Sequence, residues 1–327
     1  MAIKNVITAV REAMWEEMQR DASVFVMGQD ISVRGGVFLA TEGFAQEFGE
    51  DRVIDTPLAE ASIVGVATGA ALNGMRPIAE IQFTDFIWPA VNQLVGEAAR
   101  IRYGSNGQVG VPMVVRSPYG GGVRGGLYHS QSAEAFFAHT PGLKVICPAT
   151  PYDAKGLLKS AIRDDDPCLF FEHKRTYRLV QGEVPDEEYT VPIGVADVKR
   201  SGDALSVITY GLMLHYCLEA AERLAQEGVS VEVLDLRTVR PLDTEAIVTT
   251  ARKTGKVLVV HEDNLTGGIG AEVAAIVAEQ AFERLDAPVK RLCGPDVPAM
   301  PFAPTLEAAF MPSADSITAA MQRLAAW

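Results

Sequence analysis

Short apolar runs alternate with longer helix-like segments along most of this chain, and that rhythm restricts the fold more than any single motif does. Val24-Phe25-Val26-Met27 is one such run and ends at Gly28. Residues 77–81, 111–115, 143–146 and 168–171 repeat it. Between them, apolar spacing predicts helices over 61–72, 88–103, 132–138 and 152–163. A strand buried on both faces reads as a continuous apolar run, and parallel neighbours need a crossover between them. The pattern therefore predicts an open, mostly parallel α/β sheet covered by helices.

The alternation stops at 179–193. Gly182, Pro185, Pro192 and the acids Asp186-Glu187-Glu188 give that stretch no periodicity, which predicts a linker. It then restarts, with strands expected at 204–209, 229–234, 257–261 and 289–292 and helices at 215–226, 243–252 and 270–284. The expected organisation is two open α/β domains, 1–185 and a smaller 186–327. Each is near ordinary domain size.

Composition excludes several classes. Among 327 residues there are 4 cysteines, scattered as Cys147, Cys168, Cys217 and Cys293. Without a CxxC pair or clustered histidines, neither a disulfide framework nor a structural zinc site is expected, and a reducing, cytoplasmic compartment fits. Residues 1–18 read as an amphipathic helix carrying Glu12, Glu16 and Glu17, acids that a targeting segment avoids. The apolar stretch 61–72 is too short to span a bilayer. A formal charge of −13 argues against nucleic acid as a partner.

Ligands of open α/β sheets gather at the carboxyl ends of the strands, and the chemically suggestive residues fall there. Glu60 follows Val53-Ile54 and heads the small-residue run 61–72. A carboxylate there is desolvated and needs a partner for its charge or its proton. A first-turn acid that merely favours the helix start is the competing reading. Gln82, Asp85 and Phe86 follow Ile81, and Glu172 and His173 follow Phe171. The loop 116–131, RSPYGGGVRGGLYHSQ, lets backbone approach a ligand closely or order upon it, and ends in His129 at a loop–helix junction. That imidazole is placed to donate a hydrogen bond or move a proton, or is a plain surface histidine. His139 reads as a packing residue. Asp164-Asp165-Asp166 reads as a solvated turn rather than a metal site, and Thr266-Gly267-Gly268-Ile269-Gly270 as an anion-binding helix start or a tight turn. Walker, GxGxxG and GxSxG patterns are missing.

Several segments together resemble the beta subunit of a 2-oxo acid dehydrogenase, the thiamine diphosphate-dependent decarboxylating component. They are Thr56-Pro57-Leu58-Ala59-Glu60, Arg76-Pro77-Ile78-Ala79-Glu80-Ile81-Gln82-Phe83, Tyr128-His129-Ser130-Gln131-Ser132 and Thr266-Gly267-Gly268. The resemblance runs the length of the chain. It implies a transketolase-like pyrimidine-binding domain followed by a C-terminal domain that helps assemble an α2β2 heterotetramer. Glu60 falls on the family's glutamate at a pyrimidine ring nitrogen, with Leu58, Gln82 and Phe86 around the same ring. His129 falls on the histidine facing substrate and lipoyl group. A carboxyl at that ring nitrogen favours the imino tautomer of the cofactor's amine, which is why the position calls for an acid.

The resemblance also implies a divided cofactor site. The GDG sequence that holds magnesium and diphosphate is missing here; Gly202-Asp203-Ala204 is the nearest approach. An alpha subunit is therefore expected to hold those groups. Further expectations are a lipoyl acyltransferase core as partner, a small 2-oxo acid as substrate and no metal ligand in this chain. Some relatives hold a structural potassium ion near Pro112 and 161–164. Arg34-Gly35-Gly36-Val37-Phe38 and Ala135-Phe136-Phe137-Ala138-His139 look more like the branched-chain type than the pyruvate type, with a pyruvate or acetoin dehydrogenase beta subunit as the alternative. A transketolase-like or deoxyxylulose-phosphate synthase-like fragment and an inactive structural subunit are the other readings. Gln29 and Asn92 stand where relatives commonly carry Glu and Asp.

Overall fold

The computed structural model describes Met1–Trp327. The chain divides into two compact units. The first comprises Met1–Tyr119 and Phe136–Ile193; the second comprises Gly120–Ala135 and Gly194–Trp327.

The first unit holds β1 (Ala2–Asn5), β2 (Val24–Gly28), β3 (Val53–Asp55), β4 (Arg76–Glu80), β5 (Val114–Tyr119), β6 (Lys144–Ile146), β7 (Cys168–His173) and β8 (Gln181–Val184). Six of these form a parallel array in the order β6-β7-β5-β4-β2-β3. Helices Val6–Arg20 and Pro151–Arg163 cover one face, where Val10, Met14, Leu157 and Ile162 pack with Val26 and Phe170. Asn5 caps the first of these helices by accepting from the Thr8 N–H at 2.9 Å, a contact worth about 1 kcal/mol. Thr150 caps the second by accepting from the Asp153 N–H.

Two expectations fail here for the same reason. Residues 1–18 are not one helix, because Ala2–Asn5 is a strand. The 179–193 stretch is not wholly a linker, because Gln181–Val184 pairs antiparallel with that strand. Each segment finds a partner nearly the whole unit away in sequence, which local periodicity cannot register. The helix expected over 88–103 is also divided, into a 3-10 turn Trp88–Ala90, a π-helix Asn92–Ala98 and an α-helix Ala99–Gly104.

The second unit holds β9 (Asp197–Arg200), β10 (Leu205–Thr209), β11 (Val231–Asp235), β12 (Thr238–Arg240), β13 (Val257–Asn264) and β14 (Lys290–Gly294). Its sheet runs β14-β13-β10-β11-β9, parallel except for the edge strand β9. Helices Leu212–Gln226, Thr244–Thr254 and Ile269–Gln280 match the expected pattern. Two further helices, Pro304–Phe310 and Ala314–Ala325, close the chain. No helix is long and apolar enough to cross a membrane.

Candidate active site

Strand order locates the crevice. In the first unit the chain passes from β2 outward to β3, then returns to lay β4 on the other side of β2. The connections leaving β2 and β4 diverge, so their carboxyl ends flank the topological switch point, where open α/β sheets bind ligands. Gln29 follows β2 and Gln82 follows β4. The Gln82 Nε2 donates to the Gln29 carbonyl at 3.3 Å, and the Gln29 Nε2 donates to Glu60 Oε1 at 3.3 Å. One residue thus joins the two sequence-predicted groups.

Glu60 opens the helix Glu60–Leu72 and is 9% exposed. The preceding Ala59 makes no side-chain cap, so the helix start keeps free N–H groups whose dipole favours an acid nearby. Its carboxyl also engages Gln29 across the crevice, an interaction beyond the helix start. Leu58 is 79% exposed, two residues earlier. Phe86 ends the 3-10 turn Thr84–Phe86, half-buried, with its ring edge-on to Phe83 at 6.0 Å.

Behind this crevice lies a charged cluster of which sequence reasoning singled out Glu172 without its partners. Arg116, 2% exposed in β5, donates through Nε and Nη2 to Glu172 of β7 at 2.6 and 2.7 Å. Its Nη1 donates to Glu80 of β4 at 2.8 Å, and the Tyr177 hydroxyl donates to Glu172. Burial works against the Arg116 charge, yet the carboxylates of Glu172 and Glu80 outweigh it and raise its pKa. Burial, and secondarily the Glu172 charge, raises Glu80 despite Arg116. The visible signal was two charges of opposite sign inside the apolar strands Val114-Val115-Arg116 and Phe170-Phe171-Glu172.

His129 belongs to the segment Gly120–Ala135, which is part of the second unit. It ends the 3-10 turn Gly126–Tyr128 and is partly exposed. His139, expected to pack, is exposed. The acid triplet is not a bare turn: Asp164 pairs with Lys144, Asp165 with Arg76 at 2.5 Å and Asp166 with Arg102. No group of acids, histidines or cysteines is arranged to hold a metal ion. The carbonyls of Ile162 and Asp164 both accept from Arg76 Nη1 at 3.0 Å. At Thr266–Gly270 close packing explains Gly268 and Gly270, where a Cβ would stand 2.6 or 2.8 Å from the His261 ring, while Gly267 has a left-handed φ of 72°.

Comparison with known proteins fits this geometry. Residues 4–180 match the family described as transketolase, pyrimidine binding domain, and 194–317 match transketolase, C-terminal domain. The 2-oxoisovalerate dehydrogenase subunit beta of Bacillus subtilis is 62% identical over 325 residues, 99% of each chain. The chain belongs to the beta-subunit family of the 2-oxo acid dehydrogenases. The pyruvate dehydrogenase E1 component subunit beta of Bacillus subtilis is 51% identical to this beta subunit, over 90% of it and 91% of the relative. A split-gene transketolase, solved as an inactive beta4 tetramer, superposes with a TM-score of 0.79 at 23% identity, covering 98% of each chain. That likeness concerns the fold of the beta subunit alone.

Proposed function

We propose that this chain is the beta subunit of a branched-chain 2-oxo acid dehydrogenase, working in the cytoplasm with an alpha subunit as an α2β2 assembly. It would decarboxylate a branched 2-oxo acid and pass the acyl group to the lipoyl group of an acyltransferase core. The observation that carries this reading is the full-length 62% identity to a 2-oxoisovalerate dehydrogenase beta subunit, against 51% over a shorter span for a pyruvate-type subunit.

The residues suit the pyrimidine half of thiamine diphosphate. Glu60 is nearly buried, Gln82 and Gln29 bring amides to the same strand ends, and Phe86 offers a half-buried ring. One acid and two amides among apolar side chains is the lining expected for a flat ring with polar edges. Thiamine diphosphate, when bound, supplies the nucleophilic carbon and the electron sink for decarboxylation. Glu60 holds and moves a proton at its carboxyl, toward the ring nitrogen of the pyrimidine. Gln29 donates to that carboxyl and fixes its direction. Leu58, Gln82 and Phe86 set the plane of the ring and exclude water beside it. His129 donates a hydrogen bond to the developing charge, or a proton as the acyl group leaves for the carrier. The alpha subunit would hold magnesium and diphosphate, for which this chain has no GDG sequence.

Co-expression with the alpha partner tests the reading. The assembled enzyme should turn over branched 2-oxo acids faster than pyruvate or acetoin, and the chain alone should be inactive. Rapid turnover by the single chain, or a clear preference for pyruvate, would overturn it.

A further inference from the structure

The second unit has a switch point of its own. The chain passes from β10 to β11 on one side, then lays β13 on the other side of β10. The carboxyl ends of β10 and β13 therefore flank the crevice where an open α/β sheet would take a ligand. Here the crevice receives the chain's own segment Gly120–Ala135. Tyr210, just after β10, donates to Glu134 Oε1 at 2.9 Å. Glu262, in β13, accepts from the Gly121 N–H. Glu307, in the helix Pro304–Phe310, accepts from the N–H groups of Gly122 and Arg124 at 3.0 and 2.9 Å.

The seat is closely fitted. A Cβ on Gly121 would stand 2.5 Å from Met300 Cε, and one on Gly126 would stand 3.2 Å from Phe302 Cβ. The Met300 N–H donates to Gln131 Oε1 at 3.2 Å, and the Gly120 N–H donates to the Gln131 carbonyl at 3.1 Å, closing the base of the loop. Arg124 keeps a left-handed φ of 59°, a conformation a non-glycine residue holds only where its surroundings demand it. Gly125 lies against His129: a Cβ there would stand 2.6 Å from the His129 carbonyl and 2.8 Å from its Cβ, so the held backbone at 121–125 packs directly on the imidazole-bearing residue.

We propose that Glu262 and Glu307 are positioning residues for His129, fixing its loop from the second domain. Glu262 and Glu307 are 4% and 6% exposed, so each carboxylate sits largely out of water and needs donors. Backbone N–H groups of the loop supply them, as charge-assisted bonds that are stronger than neutral ones. The loop and the two acids thus hold each other. The proposal rests on His129 acting in acyl transfer, as read above.

Glu307→Ala and Glu262→Ala test it beside Glu307→Gln, which keeps an acceptor oxygen. Two readouts are needed on proteins of unchanged melting behaviour. In the full chain, trypsin should cut after Arg124 at least about tenfold faster in Glu307→Ala, from the loss of two charge-assisted bonds, and at near the wild-type rate in Glu307→Gln. In the assembled enzyme, Glu307→Ala should lower kcat for lipoyl acylation about tenfold with the KM for the 2-oxo acid little changed, and Glu307→Gln should recover it. Should Glu307→Ala fail to fold, Glu262→Ala carries both readouts. Wild-type cleavage in the alanine variants would overturn the seat. Faster cleavage with wild-type acylation would overturn the positioning role. His129→Ala at full activity would instead overturn the reading of His129 and leave the cleavage result standing.

Discussion

Glu60 shows what a single carboxyl must do to be more than a helix-start residue. An acid in a first turn gains a few tenths of a kcal/mol to about 1 kcal/mol from the dipole even when exposed, so that role does not require burial. Glu60 is instead 9% exposed and engaged by the Gln29 amide across a strand-end crevice. If its proton is what matters, the isosteric Glu60→Gln should leave assembly with the alpha subunit intact and reduce turnover at least about a thousandfold, as loss of a group acting in proton transfer does. Sedimentation and steady-state rates measured together decide this; near wild-type turnover would remove Glu60 from the chemistry. Gln29 makes a finer test. Gln29→Leu removes the donor without adding charge, and should lower kcat about tenfold, the scale of one hydrogen bond to a charged group. An effect confined to KM would show that Gln29 aids binding alone.

Elements carry a different lesson. Most parallel strands were legible because each contains a short apolar run, and the candidate site was sought at their carboxyl ends because ligand chemistry collects there. What escaped was whatever depends on a distant partner. The Ala2–Asn5 and Gln181–Val184 strands define each other, and neither sequence alternates cleanly enough to announce a strand. The Arg116 cluster escaped similarly, since its three charged members come from β4, β5 and β7 and are adjacent only once the sheet order is known. Its energetics make it testable. A buried ion pair stripped of one member leaves an uncompensated charge, at a cost of roughly 3–5 kcal/mol. Arg116→Met strands Glu172 and should therefore unfold the chain at clearly lower urea than wild type, by about that amount. Arg116→Lys should recover only part, because an ammonium cannot reach two carboxylates with a planar fork. A methionine variant as stable as wild type would mean that the cluster is neutral when removed as well as when present.

At the scale of the whole chain, two buried groups of the second unit set opposing pH dependences. Burial pushes the His261 imidazole down to about 4 from 6.5, against a contact with the Asp263 carbonyl and with the Arg291 charge adding to the effect. Its folded-state value lies below its unfolded one, so its contribution is full above pH 6.5 and is lost as pH falls toward 4. Burial pushes Asp263 up to about 6 from 3.8, against the Asn264 N–H and with the Glu262 charge adding. Its folded-state value lies above its unfolded one, so its contribution is full below pH 3.8 and is lost as pH rises through 6. Glu134, raised by burial and then by the Asp263 charge, works in the same direction as Asp263. Each shift is worth up to about 3 kcal/mol at full burial, and less for the partly exposed Asp263. Between pH 4 and 6 the histidine and the acids therefore pull in opposite directions. Asp263→Asn keeps an acceptor for the Asn264 N–H and removes the titration. It should be more stable than wild type at pH 8 by about 1–2 kcal/mol, and should lose stability more steeply on acidification from pH 6.5 to 4. Urea midpoints taken across that range measure both. Parallel wild-type and Asp263→Asn curves would mean that the two groups do not compensate, and that the acid sensitivity of the chain is set elsewhere.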